Sequence, residues 1–263
     1  MKKIDLDEQK KILIDLLKYI DKVCEENNIK YSLMFGSLIG AIRHKGIIPW
    51  DDDIDIALMP EEYDKLMKAL AKKHDYYFLL NPQTNKNYYY PFAKLVDSRT
   101  TLVEKSVKSI DNYGVYIDIF RYHYVSNNKL LRKIHYEILF FTETLFSRAM
   151  LNPKNIKRIK SKLIVIAANI IGVNFLKKRH LKLCNNRKKT SYVLCDWPEY
   201  GASKEILKAS SFLKYKKVPF ENIQAMIVSD YDDVLKTTFG NYMQFPPIEE
   251  RCPRHNTEIY WKK

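Results

Sequence analysis

Apolar and polar positions alternate with a helical period at the start of the chain. The apolar positions in this stretch are Ile12, Leu13, Leu16, Leu17, Ile20 and Val23. Their spacing of three and four residues predicts an amphipathic helix that ends near Glu26. Beyond it the period changes to two, at Tyr31, Leu33 and Phe35, which predicts a strand leading into a turn at Gly36 and Ser37.

The pattern after this turn predicts a short helix through Arg43, a loop through Pro49 and a strand that ends at Leu58. Pro60 favours the first turn of another helix. Runs rich in β-branched and aromatic residues predict further strands near 77–80, 92–96 and 115–120. From about residue 128 onward the pattern predicts mostly helices. The predicted fold is therefore α+β, a mixed β-sheet with flanking helices and a candidate site on one edge of the sheet.

Four carboxylates, those of Asp51, Asp52, Asp53 and Asp55, precede the apolar end of the strand at 55–58. Successive side chains of a strand alternate faces, so Asp53 and Asp55 point the same way with Cα atoms about 6.6 Å apart. Two carboxylates on one face repel each other unless a cation lies between them, and Mg²⁺ binds one or two carboxylates together with substrate phosphates. The competing interpretation is a solvated acidic loop.

Asp118 is the third candidate carboxylate, and it lies between Ile117 and Ile119 in a predicted strand. Burying a lone carboxylate is costly unless it is paired or bound to metal; the alternative is a residue on a polar strand face. Two Asp residues from one strand and one from a neighbour can hold two metals about 3.5–4 Å apart for in-line phosphoryl displacement. We therefore predict Asp53, Asp55 and Asp118 as both the catalytic and the metal-binding residues, with Mg²⁺ as the cofactor and Mn²⁺ as a substitute.

The segment GSLIGAIRHKGIIPWDDDID, residues 36–55, resembles the signature of the LicD family of phosphorylcholine transferases, relatives of fukutin in the nucleotidyltransferase-fold superfamily. The resemblance continues, in family order, through residues 92–101, 116–120, 218–220 and 239–247, and then Arg251 and His255. One departure follows Phe120, where Arg-Tyr-His replaces the Pro-Leu-Asp of many members. The resemblance implies a nucleotidyltransferase-like sheet.

The resemblance also implies a reaction. A sugar hydroxyl of a cell-surface glycan or teichoic acid precursor, free or lipid-linked, attacks the phosphate that carries the alcohol of a CDP-linked donor, and CMP leaves. CDP-choline is the favoured donor, although choline, ethanolamine, ribitol and glycerol would all suit the same metal site. Asp53 and Asp55 would hold Mg²⁺ on the diphosphate, and Asp118 would complete the metal shell or take the acceptor proton.

Several other residues are candidates for binding the donor phosphates. The turn at Gly36 and Ser37 lets backbone N–H groups approach phosphate oxygens at a helix N-terminus. Lys94 lies in a run that matches the family, which favours a phosphate contact over a surface lysine. The remaining candidates are basic residues, with exposed loop or tail positions as the alternative: Arg43, His44, Lys45, Arg251 and His255.

The positive charge of the chain is concentrated in one segment. The net charge is +14, and residues 129–190 contain 16 Lys and Arg against two acidic residues, which accounts for all of the excess. The longest apolar run there, residues 163–176, would be a helix of about 21 Å, too short for a hydrocarbon core of about 30 Å. The interpretations left open are a basic amphipathic subdomain on an anionic membrane and a core helical hairpin with a solvated basic rim. No nucleic-acid-binding module is recognisable, so we expect no nucleic-acid partner.

These patterns divide the chain into three predicted parts. Residues 1–125 form the catalytic core, 126–190 the basic amphipathic helical subdomain, and 191–263 the part that completes the catalytic domain. The four cysteines lack metal-binding spacing and the sequence shows no signal peptide, so we expect reduced thiols and a cytoplasmic location, peripheral on the inner face of the membrane.

Two other function classes stay open at this stage. One is a nucleotidyltransferase that moves a nucleoside monophosphate to a small hydroxyl compound, which would release pyrophosphate instead of CMP. The other is a non-catalytic glycan-binding protein at the membrane surface. The intact set of three Asp residues argues against the second class.

Overall fold

The computed structural model of the chain describes residues 1–72, 74–85, 88–104, 108–151, 156, 158–253, 255 and 257–262. The helices are α1 (Leu6–Glu26), α2 (Phe35–Arg43), α3 (Pro60–Leu70), α4 (Lys129–Met150), α5 (Ile159–Ile171), α6 (Val173–Leu183), α7 (Ala202–Glu205) and α8 (Tyr231–Phe239). The strands are β1 (Ser32–Leu33), β2 (Asp55–Leu58), β3 (Tyr77–Leu80), β4 (Ala93–Asp97), β5 (Thr100–Glu104), β6 (Tyr116–Val125), β7 (Tyr192–Cys195), β8 (Leu207–Lys208), β9 (Tyr215–Phe220), β10 (Ile223–Val228) and β11 (Thr257–Trp261).

A mixed, seven-stranded sheet forms the centre of the fold. Its main path runs β1-β2-β6-β4-β3, and β7 and β8 extend it along the second half of β6. The β2–β6 pair is parallel and the other pairs of the sheet are antiparallel. Two-stranded sheets formed by β9 with β10 and by β5 with β11 complete the structure. The predicted α+β class, with a mixed sheet and flanking helices, is confirmed.

The long strand β6 organises the sheet because all ten of its residues are buried. Its first half pairs with β4, its second half pairs with β7, and β2 lies along its middle. The sequence pattern indicated only 115–120 as strand. The strand continues to Val125 because Tyr122 and Tyr124 pack into buried positions and their neighbours hydrogen-bond to β7.

One large hydrophobic cluster joins the two ends of the chain. It contains the inner face of α1, the central strands and, from the C-terminal part, residues such as Phe220, Ile227 and Ile259. Two smaller clusters lie at helices α4, α5 and α6, around Leu139 and Phe146. The three-part division at residues 125 and 190 stays a prediction.

Among the described residues, no single helix is long and apolar enough to cross a bilayer. Helices α5 and α6 reach that length and hydropathy only when taken together, and they meet at a bend of 76°. Gly172 occupies the bend with φ of +91°, a conformation that side-chain-bearing residues rarely adopt.

One local expectation was wrong. Gly36 and Ser37 do not form a turn between a strand and a helix, because β1 ends at Leu33 and the chain turns at Phe35, whose φ is +50°. Both residues therefore lie in the first turn of α2. Helices predominate after residue 128, as the sequence pattern predicted, but strands follow α6: the apolar run at β7 pairs with β6, and the segment 215–228 closes a β-hairpin.

Candidate active site

A row of three charged side chains crosses the centre of the sheet. Asp55, the first residue of β2, lies directly opposite Asp118 of β6 in parallel register. Lys94 of β4 lies opposite Asp118 on its other side, in antiparallel register. Adjacent strands lie about 4.8 Å apart, so the pairing alone brings two acids and one base to one place.

Lys94 is the most deeply buried member of this row, with only 2% of its surface exposed. Its ammonium group donates a hydrogen bond to Oδ1 of Asp118. It also lies 3.5 Å from the ring centroid of Tyr116 and 4.6 Å from that of Tyr90. Burial lowers the pKa of Lys94, and the charge of Asp118 opposes that shift. Lys94 is therefore held in place by one carboxylate and the faces of two rings.

The carboxylates near Lys94 have raised pKa values, because each is removed from solvent. Burial, followed by the charge of Asp51, raises the pKa of Asp53 to about 8. Burial and the neighbouring charges of Asp53 and Asp118 raise the pKa of Asp55 well above its usual range. The pKa of Asp118 is also raised by burial, although Lys94 opposes the shift. A cation bound among these oxygens would relieve the repulsion, so the donor set fits a hard divalent metal.

His255 closes the site from the C-terminal segment. Its Nδ1 lies 3.0 Å from Asp52 Oδ1 and 3.7 Å from Asp53 Oδ2, and its backbone N–H donates to Asp52 Oδ2. The hydrogen bond with Asp52 is the main cause that raises the pKa of His255 to about 9. Among the described residues, Asp52, Asp53 and His255 form a set whose candidate ligand atoms all lie within 4.8 Å of one another.

The carboxylates open into a cleft of about 670 Å³. Asp53, Asp55, Asp118 and Lys94 line one part of it. A second wall is aromatic, and we call it the aromatic wall; it consists of Phe35, Phe92, Phe120, Trp197, Tyr200 and Phe239. Glu199 also lines the cleft and accepts a hydrogen bond from Nε1 of Trp197 at 3.0 Å.

A cluster of arginine and aromatic side chains lies at another part of the rim. The guanidinium groups of Arg43 and Arg251 lie 4.6 Å and 5.2 Å from the ring centroid of Phe245. Arg251 also lies 5.4 Å from Trp50, and His44 packs edge-on against the Trp50 ring. Arg43 donates to the backbone carbonyls of residues 242 and 244. These contacts fasten the C-terminal segment over α2.

The sequence of the chain matches a known protein family and its members. Residues 28–160 match the family described as LicD/FKTN/FKRP, nucleotidyltransferase domain. The lipopolysaccharide cholinephosphotransferase LicD of Haemophilus influenzae is 31% identical over 275 aligned positions, which cover 99% of both chains. The chain belongs to the LicD family.

Shorter similarities agree with this membership. An uncharacterised protein of Rickettsia prowazekii is 45% identical over 60 residues, 23% of either chain. The human ribitol 5-phosphate transferase FKRP is 40% identical over 118 residues, which are 45% of this LicD-family chain and 19% of FKRP. Two relatives in the family thus carry names that describe transfer of different phosphoalcohols.

The structure brings most of the candidate site residues of this LicD-family chain to one cleft. Those that line it are Gly36, Arg43, Asp53, Asp55, Lys94, Asp118 and His255. Gly36 packs closely against the acidic run, and a Cβ there would lie 2.8 Å from Oδ2 of Asp51. The roles assigned to these residues stay predictions.

Four candidates lie outside the lining of the cleft. Ser37 is buried beneath it, and its hydroxyl accepts a hydrogen bond from the backbone N–H of Asp55 at 2.9 Å. His44 and Arg251 belong to the aromatic cluster behind the rim. Lys45 is exposed and has a φ of +57°. The donor-binding role of these four residues stays a prediction.

Sequence reasoning missed two parts of the site. Asp52 was not chosen from the acidic run, although the pairing with His255 makes it a possible ligand. The aromatic wall was also missed, because its members come from α2, the residue before β4, β6, α8 and the segment after β7. No spacing in the sequence could have joined such distant residues.

Proposed function

We propose that this protein transfers phosphorylcholine from CDP-choline to a hydroxyl of a cell-surface glycan, such as a lipopolysaccharide or a teichoic acid precursor, and releases CMP. The observation that carries the proposal is the single cleft in which a cluster of partly buried carboxylates faces the aromatic wall. The names of the Haemophilus and FKRP relatives support phosphoalcohol transfer in general. The choice of donor and metal rests on the residues of the cleft.

The carboxylates suit the charge of a diphosphate donor. Mg²⁺, or Mn²⁺ in its place, would supply charge neutralisation at the diphosphate, with Asp53 and Asp55 as its protein ligands. Asp52 and His255 lie within reach of the same oxygen of Asp53. Phosphoryl transfer depends on positioning and charge stabilisation more than on covalent help, so a rigid strand edge is an appropriate scaffold.

Asp118 is the residue that we propose accepts the acceptor proton. Burial raises its pKa above the ordinary carboxylate value, which makes it a better base, and Lys94 holds its Oδ1 in one position. The acceptor oxygen forms a bond to the phosphorus that carries choline. The bond from that phosphorus to the CMP oxygen breaks, CMP leaves with the electron pair, and the hydroxyl proton passes to Asp118.

The aromatic wall favours choline over an uncharged alcohol. Ring faces attract a quaternary ammonium group. Neighbouring rings of the wall pack directly on one another, with centroids 4.5 Å apart for Phe92 and Phe120, 5.2 Å for Phe92 and Trp197, and 5.2 Å for Tyr200 and Phe239, and so form an aromatic surface against which the ammonium group would lie. Glu199 adds a negative charge beside Trp197.

Calorimetric titration tests the donor. We expect CDP-choline to bind in the presence of Mg²⁺ and more weakly in its absence, and to bind better than CDP-ribitol, CDP-glycerol or CTP. Trp197→Leu should weaken CDP-choline binding about tenfold and leave CDP-ribitol binding unchanged, since it removes one ring of the aromatic wall. Preference of the wild-type protein for another CDP-alcohol would overturn the assignment of choline.

Analysis of the released nucleotide tests the reaction class. Release of CMP in an amount equal to the modified glycan is expected. Release of pyrophosphate from CTP would instead identify a nucleotidyltransferase. Glycan binding that persists without any turnover, and without loss in Asp53→Asn, would identify a non-catalytic binding protein.

A further inference from the structure

Helices α4, α5 and α6 expose an unusual amount of apolar surface. The large apolar side chains that are at least 38% exposed there are Leu130, Leu131, Ile134, Ile138, Phe140, Phe141, Ile159, Leu163, Ile164, Ile166, Ile170, Ile171 and Phe175. Isolated exposed apolar residues are ordinary, but a concentration of them on neighbouring elements marks a surface that contacts something apolar.

Helix α4 has two apolar faces. Tyr136, Leu139 and Phe146 lie on the buried face and pack into the smaller hydrophobic clusters. Ile134, which is 45% exposed, and Phe141, which is 63% exposed, lie on the outer side. The outer positions 130, 134, 138 and 141 repeat every three or four residues and therefore form a continuous stripe.

Helix α5 is apolar almost all the way round, yet only Val165 and Ala168 of its residues are buried. Ile170 is 81% exposed and Leu163 is 60% exposed. Ala168 belongs to the small hydrophobic cluster that contains Phe146 and Ala149 of α4, so α5 packs on α4 along one side and leaves these side chains exposed. A soluble helix with this composition would ordinarily be enclosed by protein on more sides.

Basic side chains accompany the apolar ones. Exposed Lys129 and Lys133 lie in the first turns of α4, exposed Lys160 and Lys162 lie in α5, and exposed Lys178 and Arg179 lie in α6. Apolar side chains beside Lys and Arg are typical of helices that lie in the interface of a bilayer with anionic lipids. Charge complementarity therefore selects an anionic lipid surface as the occupant.

We propose that the outer faces of α4 and α5, with the basic residues of α4, α5 and α6, dock on an anionic lipid bilayer. The helices lie on the surface and do not cross it, which agrees with the finding that no single helix among the described residues is both long and apolar enough to span a bilayer. Only the consequence rests on the proposed function: docking would bring the cleft to acceptors that are carried on lipid. The binding itself requires neither donor nor acceptor.

Sedimentation with vesicles tests the docking. The wild-type protein should bind vesicles of phosphatidylglycerol and phosphatidylcholine, and bind pure phosphatidylcholine vesicles at least about tenfold more weakly, because each basic residue near an anionic surface adds to the affinity. Binding that is equal on both kinds of vesicle, or absent from both, would overturn the proposal. The assay contains no nucleotide, so its outcome is independent of the proposed reaction.

Two sets of variants test which residues are responsible. Phe141→Gln with Ile170→Gln removes two exposed apolar anchors, and we expect at least about tenfold weaker vesicle binding. Leu213→Gln with Ile248→Gln is the matched control, since these side chains are 78% and 77% exposed on other parts of the surface. Equal binding by the Phe141 and Ile170 variant and by its control would contradict the assignment of the surface.

The charge variant combines Lys160→Gln, Lys162→Gln, Lys178→Gln and Arg179→Gln. It should lose the preference for anionic vesicles, whereas the same number of Lys→Gln changes at the exposed positions Lys11, Lys68, Lys204 and Lys214 should retain it. Lys177 is omitted because it is buried and donates to the carbonyl of residue 88. Melting temperature and CDP-choline binding show that each variant is folded.

A second copy of the chain is the other occupant that the experiment can detect. If the wild-type protein is a dimer that does not bind vesicles, and the Phe141 and Ile170 variant is a monomer, the surface is a dimer interface and the proposal is overturned.

Discussion

Lys94 and Asp118 lie opposite each other on β4 and β6 and form a buried ion pair at the base of the cleft. The pair contributes both to the stability of the sheet and to the geometry of the site. Asp118 would be a costly isolated charge without Lys94, and Lys94 would be a cation surrounded by aromatic rings without Asp118. Removing either partner therefore has consequences for folding as well as for activity.

We predict that Lys94→Met lowers the free energy of unfolding by about 3–5 kcal/mol and abolishes transfer. The magnitude is that of a buried ion pair from which one partner is removed. Thermal and urea unfolding measure the loss of stability, and CMP release measures the loss of activity.

The double variant Lys94→Met with Asp118→Asn separates the two effects. Its melting temperature should recover most of the loss, because neither residue is then a buried unpaired charge. Its transfer activity should stay absent. A melting temperature as low as that of Lys94→Met alone would show that the pairing is not what stabilises this region.

Asp53→Asn should stabilise the metal-free protein while it abolishes transfer. The substitution removes one charge from a cluster in which the pKa of Asp53 is raised to about 8. We expect an increase of at least about 2 °C in the melting temperature measured with EDTA, which corresponds to on the order of 1 kcal/mol for a chain of this size.

Magnesium provides the contrast for Asp53→Asn. The wild-type protein should gain thermal stability when Mg²⁺ is added, and the variant should gain little. The exposed Asp75→Asn change is the control, and it should respond to Mg²⁺ as the wild type does. If Mg²⁺ stabilised Asp53→Asn as much as the wild type, Asp53 would not be a metal ligand.

The sequence predicted the acidic part of the site because its signals are local. Asp55 and Asp118 each lie in a run of β-forming residues, so strand geometry alone predicted both in a sheet. The strand predicted at Asp53 was wrong, because β2 begins at Asp55 and Asp53 lies in the segment before it. The register that sets Asp55 against Asp118 could not be predicted, because it depends on long-range packing of buried side chains.

Other parts of the structure lacked any local signal. Phe35 turns the chain at a positive φ, which a large aromatic residue rarely adopts, so the first turn of α2 was assigned to the end of a strand and a turn. The ion pair of His255 with Asp52 joins residues more than 200 positions apart. The aromatic wall is likewise assembled by the fold, which is why its rings could not be selected from the 19 Tyr and 12 Phe of the chain.

His255 should titrate near pH 9 in the metal-free protein, far above an ordinary histidine, because Asp52 accepts a hydrogen bond from its ring and Asp53 adds a nearby negative charge. NMR titration of the imidazole measures this pKa directly. Asp52→Asn should move the pKa down toward 6.5, and Asp75→Asn should not change it. A pKa near 6.5 in the wild type would contradict the pairing.

The sign of the effect on stability follows from linkage. The folded state binds the His255 proton more tightly than the unfolded state, so the contribution of His255 to stability is fully present below pH 6.5 and is lost as the pH rises through 9. The difference in melting temperature between the wild type and His255→Gln should therefore shrink between pH 6.5 and pH 9. A difference that grows over this range would exclude a protonated His255.

Gly36 and Gly40 lie one turn apart in α2 and should respond differently to the same change to alanine. At Gly36 a Cβ would lie 2.8 Å from Oδ2 of Asp51, the end of a side chain that lines the cleft. At Gly40 a Cβ would lie 2.5 Å from the backbone oxygen of Gly46 and 3.4 Å from the backbone nitrogen of Ile48. Backbone cannot move aside as a side chain can, so Gly40→Ala should destabilise the protein by about 1–3 kcal/mol.

Gly36→Ala should leave the melting temperature within about 2 °C of the wild type, since only a side chain is displaced. It should nevertheless reduce Mg²⁺-dependent donor binding in calorimetry, because the displaced Asp51 carboxylate changes the charge distribution around Asp53. Equal loss of stability in both variants would show that Asp51 is as rigidly held as the backbone behind Gly40.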